Sequence, residues 1–305
     1  MKKKGIALVE RQYLFPFVLI TSLFFLWGFA HAILDVLNKH FQELLTITRT
    51  HSAMIQATMY MGYFIMAIPA GLFINRHGYR RGVVLGLLLY GTGSLLFIPG
   101  QYIASFNMFL FSLFVIGCGL TFLETAANPY VTELGARETA ASRLNFAQSF
   151  NGLGCIFAPI LTGLLLFSDD DKGAGGNVAL PYAVMGVVVL LAALAFVRVP
   201  LPEIPHEEEV DSEGRRVSLW SHKLFVFGLA ALFAYEVAEI SINSFFINYV
   251  TEVGWMNARD ASLVLSFGGL GLFMVGRFVG SWIMRRVRAE KMLFWCATGT
   301  VITTL

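Results

Sequence analysis

From Phe106 to Leu123 the chain runs without a single charge, and Glu124 then stands alone in sequence that stays uncharged to Thr132. A carboxylate at bilayer depth costs about 3 kcal/mol on insertion scales, so such a group faces a bundle interior or a wet cavity. The rest of the chain reads as the wall of that interior. A membrane-spanning helix needs about 20 apolar residues. Runs that meet this requirement occupy 14–38, 51–75, 81–100, 106–132, 142–167, 178–199, 223–250 and 260–284. A further run begins near Glu290 and is still apolar at Leu305, which leads us to expect a piece of a longer protein.

Composition agrees. Hydrophobic residues make up 56% of the chain and charged residues 14%, with a mean hydropathy of +0.67. Soluble domains carry roughly 25% charged residues. A net charge of +2 with no basic stripe gives no footprint for nucleic acid. Cys118, Cys155 and Cys296 sit inside apolar runs and read as small buried hydrophobes. Lys2, Lys3 and Lys4 precede a long first run without a small-residue cleavage site, so that run is expected to be a retained helix. His40, His51, His77, His206 and His222 show no metal spacing. With no Walker motif, nucleophile elbow or HExxH pattern, we expect neither an enzyme nor a cofactor.

Orientation follows the Lys/Arg bias of short loops. Lys2, Lys3, Lys4 and Arg11 group with Arg76, Arg80 and Arg81, with Arg137 and Arg143, with Arg198, Arg215 and Arg216, and with Arg285, Arg286 and Arg288. These clusters are expected on the cytoplasmic side, with the N-terminus inside. The stretch PLPEIPHEEEVDSEGRRVS reads as a solvated linker. Expected domains are therefore a six-helix N-terminal bundle over 1–200, a cytoplasmic linker over 201–221 and a partial C-terminal bundle over 222–305. GYFIMAIPAGLFINR (62–76) and GLFMVGRFVGSWIMR (271–285) align at a constant offset, matching Gly62 with Gly271, Gly71 with Gly280 and Arg76 with Arg285. Parallel repeats of this kind are a transporter architecture.

Polar residues in the apolar runs form stripes. His31, Asp35 and Asn38 share one face of the first helix. Asp35 reads as a cavity carboxylate able to carry a proton or grip hydroxyls, or as an acid snorkelling to the outer end. Asn145, Gln148 and Asn151 recur at every third position. Carboxamides donate and accept, which suits a vicinal diol, and they also serve as interhelical glue. Asn128 lies one turn beyond Glu124 and is placed to orient it. Glu236, Glu239 and Asn243 form the most polar stripe of the second half, near Tyr235, Phe245 and Tyr249. Arg277 reads as a structural pair or a snorkel. Gly152 and Gly154 read as close-packing residues.

GLFINRHGYRR (71–81) resembles the signature loop of the major facilitator superfamily, with Asn75 at the usual Asp position and Tyr79 at a basic one. LETAANPYV (123–131), RLNFAQSFNGLG (143–154), YFIMAIPAG (63–71) and GRFVGSW (276–282) closely resemble the fucose–galactose–glucose:proton symporters, and helix seven is more similar to the glucose/galactose-type members. The resemblance implies an all-α polytopic membrane protein of the major facilitator fold, with a complete six-helix half and about three helices of a second half. It implies proton roles for Asp35 and Glu124. It further implies substrate contacts at Gln148, Asn151, Asn128, Asn145, Glu239, Asn243 and His31, with the proton as coupling ion.

The expected function is proton-coupled symport of a neutral hexose across a bacterial cytoplasmic membrane, by a monomer embedded in the bilayer. The alternatives are a transporter of another solute, such as an N-acetylated sugar or an antiporter substrate, and a truncated sugar-binding product that does not transport. An anion carrier should show central Arg or Lys, and the first six helices have none.

Overall fold

The computed structural model describes residues 7–44, 49–166, 179–198, 218–257, 260–261 and 264–304. The expected loop over 168–177 and the core of the expected linker lie outside the described residues, as do the side chains of Asp35 and Asn243. Ten α-helices are described: α1 (Leu14–Leu44), α2 (Arg49–His77), α3 (Tyr79–Leu95), α4 (Phe97–Ile103), α5 (Phe106–Glu133), α6 (Ala140–Leu166), α7 (Ala179–Arg198), α8 (Lys223–Glu252), α9 (Gly271–Met284) and α10 (Ala289–Thr304). A π-helical stretch, Val264–Leu270, leads into α9. Among the described residues, six segments are long and apolar enough to cross a membrane.

The run expected as one helix over 81–100 is broken at Leu96. Pro99 explains the break: without an N–H it cannot bond the Leu95 carbonyl one turn back. Pro69 and Pro129 sit inside α2 and α5, which continue through them. Gly78 joins α2 to α3 at φ 85°, a backbone that a Cβ would strain. Arg80 then donates to the carbonyls of Phe196 and Val197, capping the C-terminal end of α7. The signature-like loop is thus tied to the last helix of the first bundle.

The chain divides into two compact units, one of Met1–Ile204 with Phe273–Leu305 and one of Pro205–Leu272. In the first unit, α1 packs on α6, α2 and α3 on α5, and α3 on α7. Each of these four interfaces is built on a pair of glycines where backbones meet: Gly28 with Gly154, Gly62 with Gly117, Gly86 with Gly119, and Gly91 with Gly186. Small residues permit such approach in membranes, where lipid tails compete with any larger apolar side chain. Between these seams Tyr90, Phe97 and Tyr182 are fully buried, and the Phe97 and Tyr182 rings stack at 3.7 Å.

From Phe273 on, α9 groups with the first unit, where it is clasped to α6. Ser142 and Ser281 exchange hydrogen bonds, Ser142 Oγ to the Ser281 carbonyl and Ser281 Oγ to the Ser142 carbonyl at 2.8 Å. Phe278 lies edge-on to Phe146 and Phe150, at 5.7 and 6.0 Å. Gly152 makes room for Met274 in the same contact.

Arg143, which the sequence groups with the loop charges, is buried in the structure. It is 0% exposed. Its guanidinium donates to the carbonyls of Val131, Thr132, Ala136 and Leu8 and to Thr139 Oγ1. Two of these acceptors, at Val131 and Thr132, lie in the last turn of α5, where carbonyls lack intrahelical donors. Gly135, at φ 144°, lies against the guanidinium and leaves no room for a side chain. Arg143→Leu therefore leaves a set of buried acceptors without their donor, each worth about 1–3 kcal/mol. We expect a loss of at least about 3 kcal/mol, read as lower yield of monodisperse protein and a lower unfolding midpoint in detergent.

In the second unit, the N-terminal part of α8 is apolar around its circumference, with Leu224, Phe225, Val226 and Phe227 all exposed in succession. Such a helix suits a bilayer. It ends at Gly254 (φ 77°), and Asn257 and Asp260 bond reciprocally beyond it.

Candidate functional site

Four helices of the first unit bring their polar residues to one region. From α5 come Thr121, Glu124, Thr125 and Asn128, and from α2 come Tyr60 and Tyr63. Together with Phe64, Ala67 and Pro129 these line a cleft of about 690 Å³. That lies within the roughly 300–1,000 Å³ typical of small-molecule sites. Thr121 Oγ1 turns back to the Gly117 carbonyl at 2.8 Å, so its polarity is spent inside α5. Glu124 and Asn128, one turn apart, are half-buried. Pro129 removes the N–H that would bond the Thr125 carbonyl, which bends the local ladder beside the acid.

From α6, Gln148 Nε2 donates to Asn128 Oδ1 at 3.4 Å. This joins the amide stripe to the α5 acid through Asn128. Asn145, Gln148 and Asn151 are all half-buried, while Ala147, Ser149 and Ala158 on the same helix are buried. The stripe is thus the partly open face of α6. Asn145 Nδ2 bonds the Ala141 carbonyl of its own helix at 3.1 Å, which leaves its carbonyl oxygen for other work. The Asn151 backbone carbonyl packs directly on Gly28, fixing that end of the stripe against α1.

From α1, Trp27 Nε1 donates to Tyr63 Oη at 2.8 Å. Trp27, His31, Tyr60 and Tyr63 form an aromatic cluster with centroid distances of 5.7–6.4 Å. Tyr63 is also an electrostatic neighbour of Glu124. The cluster therefore runs from α1 across α2 to the acid on α5. Sequence pattern marks His31 as a candidate but does not mark Trp27, Tyr60 or Tyr63. Their signal was available: Trp27 precedes His31 by one turn on the Asp35 face, and Tyr60 and Tyr63 share a face of α2.

In the second unit Glu239 is half-buried and Glu236 exposed. Tyr235 is exposed, and Tyr249 packs edge-on against Trp255 at 5.8 Å. Arg277 Cζ lies 4.5 Å over the Phe273 ring one turn back, a cation–π contact along α9. The geometry thus joins Glu124, Asn128 and Gln148, sets His31 beside them through Tyr63, and leaves Asp35 and Asn243 known by backbone alone.

A model of the Major Facilitator Superfamily matches residues 17–305. The chain belongs to this superfamily. It is 36% identical over 299 residues to a glucose/galactose transporter of Brucella abortus, covering 96% of this chain and 72% of that one. It is 35% identical over 309 residues to the L-fucose-proton symporter of Escherichia coli, covering 93% and 70% respectively. The structure superposes on the crystal structure of a major facilitator transporter, FucP, in the outward conformation, with a TM-score of 0.78, 35% identity, and coverage of 93% of this chain and 74% of that one. In major facilitator terms, α3 and α4 together make one span, Tyr79–Ile103. The all-helical multi-pass architecture and the membrane as its solvent follow from family and helices together.

Proposed function

We propose that this chain carries out proton-coupled symport of a neutral hexose across a bacterial cytoplasmic membrane, by alternating access. The observation that supports it most is the Glu124–Asn128–Gln148 arrangement: an acid one turn from an amide, itself bonded to a second amide on a facing helix, beside a cleft. The relatives at 35–36% identity are named as a glucose/galactose transporter and an L-fucose-proton symporter.

In this reading Glu124 and Asp35 take protons from outside. Gln148 and Asn151 bind hydroxyls of the sugar, with Asn128 and the free oxygen of Asn145 at the edge of the site. Glu239 and Asn243 contribute from the second half, and release of sugar and proton follows on the cytoplasmic side. The six helices of 1–200 form one rocking body, with 201–221 as the cytoplasmic link to 222–305. The N-terminus is cytoplasmic and the working unit is a monomer.

The test is counterflow in proteoliposomes against a panel of hexoses and N-acetylated hexoses. Uptake of labelled hexose, inhibited by an uncoupler in the net-uptake format, supports the proposal. Counterflow limited to N-acetylated sugars, or none with any sugar, overturns it. Gln148→Leu keeps the volume and removes the amide. Loss of one or two hydroxyl contacts at about 1–1.5 kcal/mol each raises the half-saturating sugar concentration about ten-fold or more.

A further inference from the structure

Two phenols stand on the α2 wall of the cleft, Tyr60 and Tyr63, with ring centroids 6.2 Å apart. Their α2 neighbours in that wall, Phe64 and Ala67, carry no polar side-chain atom. The α5 wall carries Glu124, Thr125 and Asn128. Tyr63 is held in place from α1: Trp27 Nε1 donates to its Oη at 2.8 Å, and an indole N–H only donates. One lone pair of Oη is therefore used, and the hydroxyl hydrogen turns away from the indole. Among the described residues no acceptor takes that hydrogen. Trp27 does not line the cleft, so it holds Tyr63 from outside the wall. The indole is itself packed, with the His31 ring edge-on to it at 5.7 Å. A tie between α1 and α2 accounts for the hydrogen bond. It does not account for a phenol whose donor is left over at the wall of a cleft. Water satisfies such a donor, and a ligand hydroxyl can replace that water.

We propose that Tyr63 is a specificity-determining residue of the sugar site, donating its hydroxyl hydrogen to one hydroxyl oxygen of the bound hexose, and that Trp27 is its positioning residue. The proposal rests on the hexose reading and deepens it by adding a contact from α2. The chemistry fits the ligand class. Each hydroxyl of a neutral hexose donates once and has lone pairs to accept with. One that gives its hydrogen to an oxygen of Glu124 or of an amide keeps those lone pairs, and a phenolic donor binds them. The indole fixes the direction of the Tyr63 O–H, so the bond is open to an oxygen at one ring position and in one orientation. A deoxy sugar or an epimer that lacks oxygen there leaves the donor unpaired, whereas an untethered phenol could turn to find another. A site built to bond a hydroxyl rejects the analogue without it.

The test measures, by calorimetry on purified protein, equilibrium binding of a hexose carried in counterflow and of each of its monodeoxy analogues. Tyr63→Phe should weaken the hexose about three- to ten-fold, the scale of one neutral hydrogen bond. One monodeoxy analogue should bind wild type and variant equally, while the others show the same loss as the parent sugar. Trp27→Phe removes the indole N–H. It should lower the preference for the hexose over that same analogue and add nothing to Tyr63→Phe, as members of one contact do. Equal weakening of the hexose and every analogue, or no weakening, overturns the Tyr63 contact. Effects of the two variants that add overturn the positioning by Trp27. Should Tyr63→Phe fail to fold, Trp27→Phe decides: a loss absent for one analogue alone supports the contact, and a uniform loss or none overturns it. Wild type that binds no hexose overturns the hexose reading and the contact together. Wild type that binds and moves hexose without protons overturns symport alone, and the binding comparison still decides on Tyr63.

Discussion

Glu124→Gln is expected to abolish hexose-driven proton uptake while exchange of labelled sugar persists. The substitution preserves shape and hydrogen-bonding reach beside Asn128, so Gln148 keeps its partner and the amide corner survives. What disappears is a group that can load and unload a proton. Net uptake should fall by about two orders of magnitude, the scale of removing a positioned proton-transfer group. Exchange needs only binding and reorientation, which a permanently neutral side chain allows. Measuring both in the same proteoliposomes separates the two functions. Persistent proton uptake removes Glu124 from the coupling step, whereas loss of exchange as well assigns it to sugar binding.

Gly28→Val is expected to cost the fold rather than the chemistry. A Cβ at position 28 would lie 2.1 Å from the Asn151 backbone oxygen, and one at Gly154 would lie 2.2 Å from the Phe25 backbone oxygen. Neither obstacle is a side chain that can rotate away, so α1 and α6 must part. Overpacking a tight core costs about 1–3 kcal/mol when neighbours yield, and more when they are backbone. We expect a loss of at least about 3 kcal/mol, seen as a collapse of the thermal transition or failure to accumulate in the membrane. Gly71→Ala is the control: nothing stands within 4 Å of its Cβ position, and alanine is the better helix former. A Gly28→Val protein as stable as wild type would mean that the α1–α6 seam is looser than its backbone contact.

The spans were legible because length and apolarity alone separate a bilayer helix from a loop, and their expected ends fall within a few residues of the observed helices, apart from the C-terminal end of α1 and the start of α9, which a π-helical stretch precedes. The break at Leu96 was not, since a proline near a helix end reads as a terminus when no register is known. Gly154 was legible as a packing residue, but its partner Gly28 was not, because apolar sequence carries no label for which helix meets which. Glu124, Asn128 and Gln148 stood out because polar groups are costly at that depth. Trp27, Tyr60 and Tyr63 escaped for the opposite reason: aromatics cost little in apolar runs, so only their shared contact with His31 reveals them. The burial of Arg143 was not legible, because counting loop charges says nothing of what they pack against. Its acceptors arise from the frayed end of α5 and from Leu8, a placement that spacing does not encode.

The serine clasp between α6 and α9 imposes an order on biogenesis. Its partners are 139 residues apart in the chain. At about 5–20 residues per second, Ser281 leaves the ribosome roughly seven to twenty-eight seconds after Ser142. Throughout that interval the N-terminal end of α6 stands without its mate. Until the later helix arrives, Ser142 lacks the partner that Ser281 supplies in the folded chain.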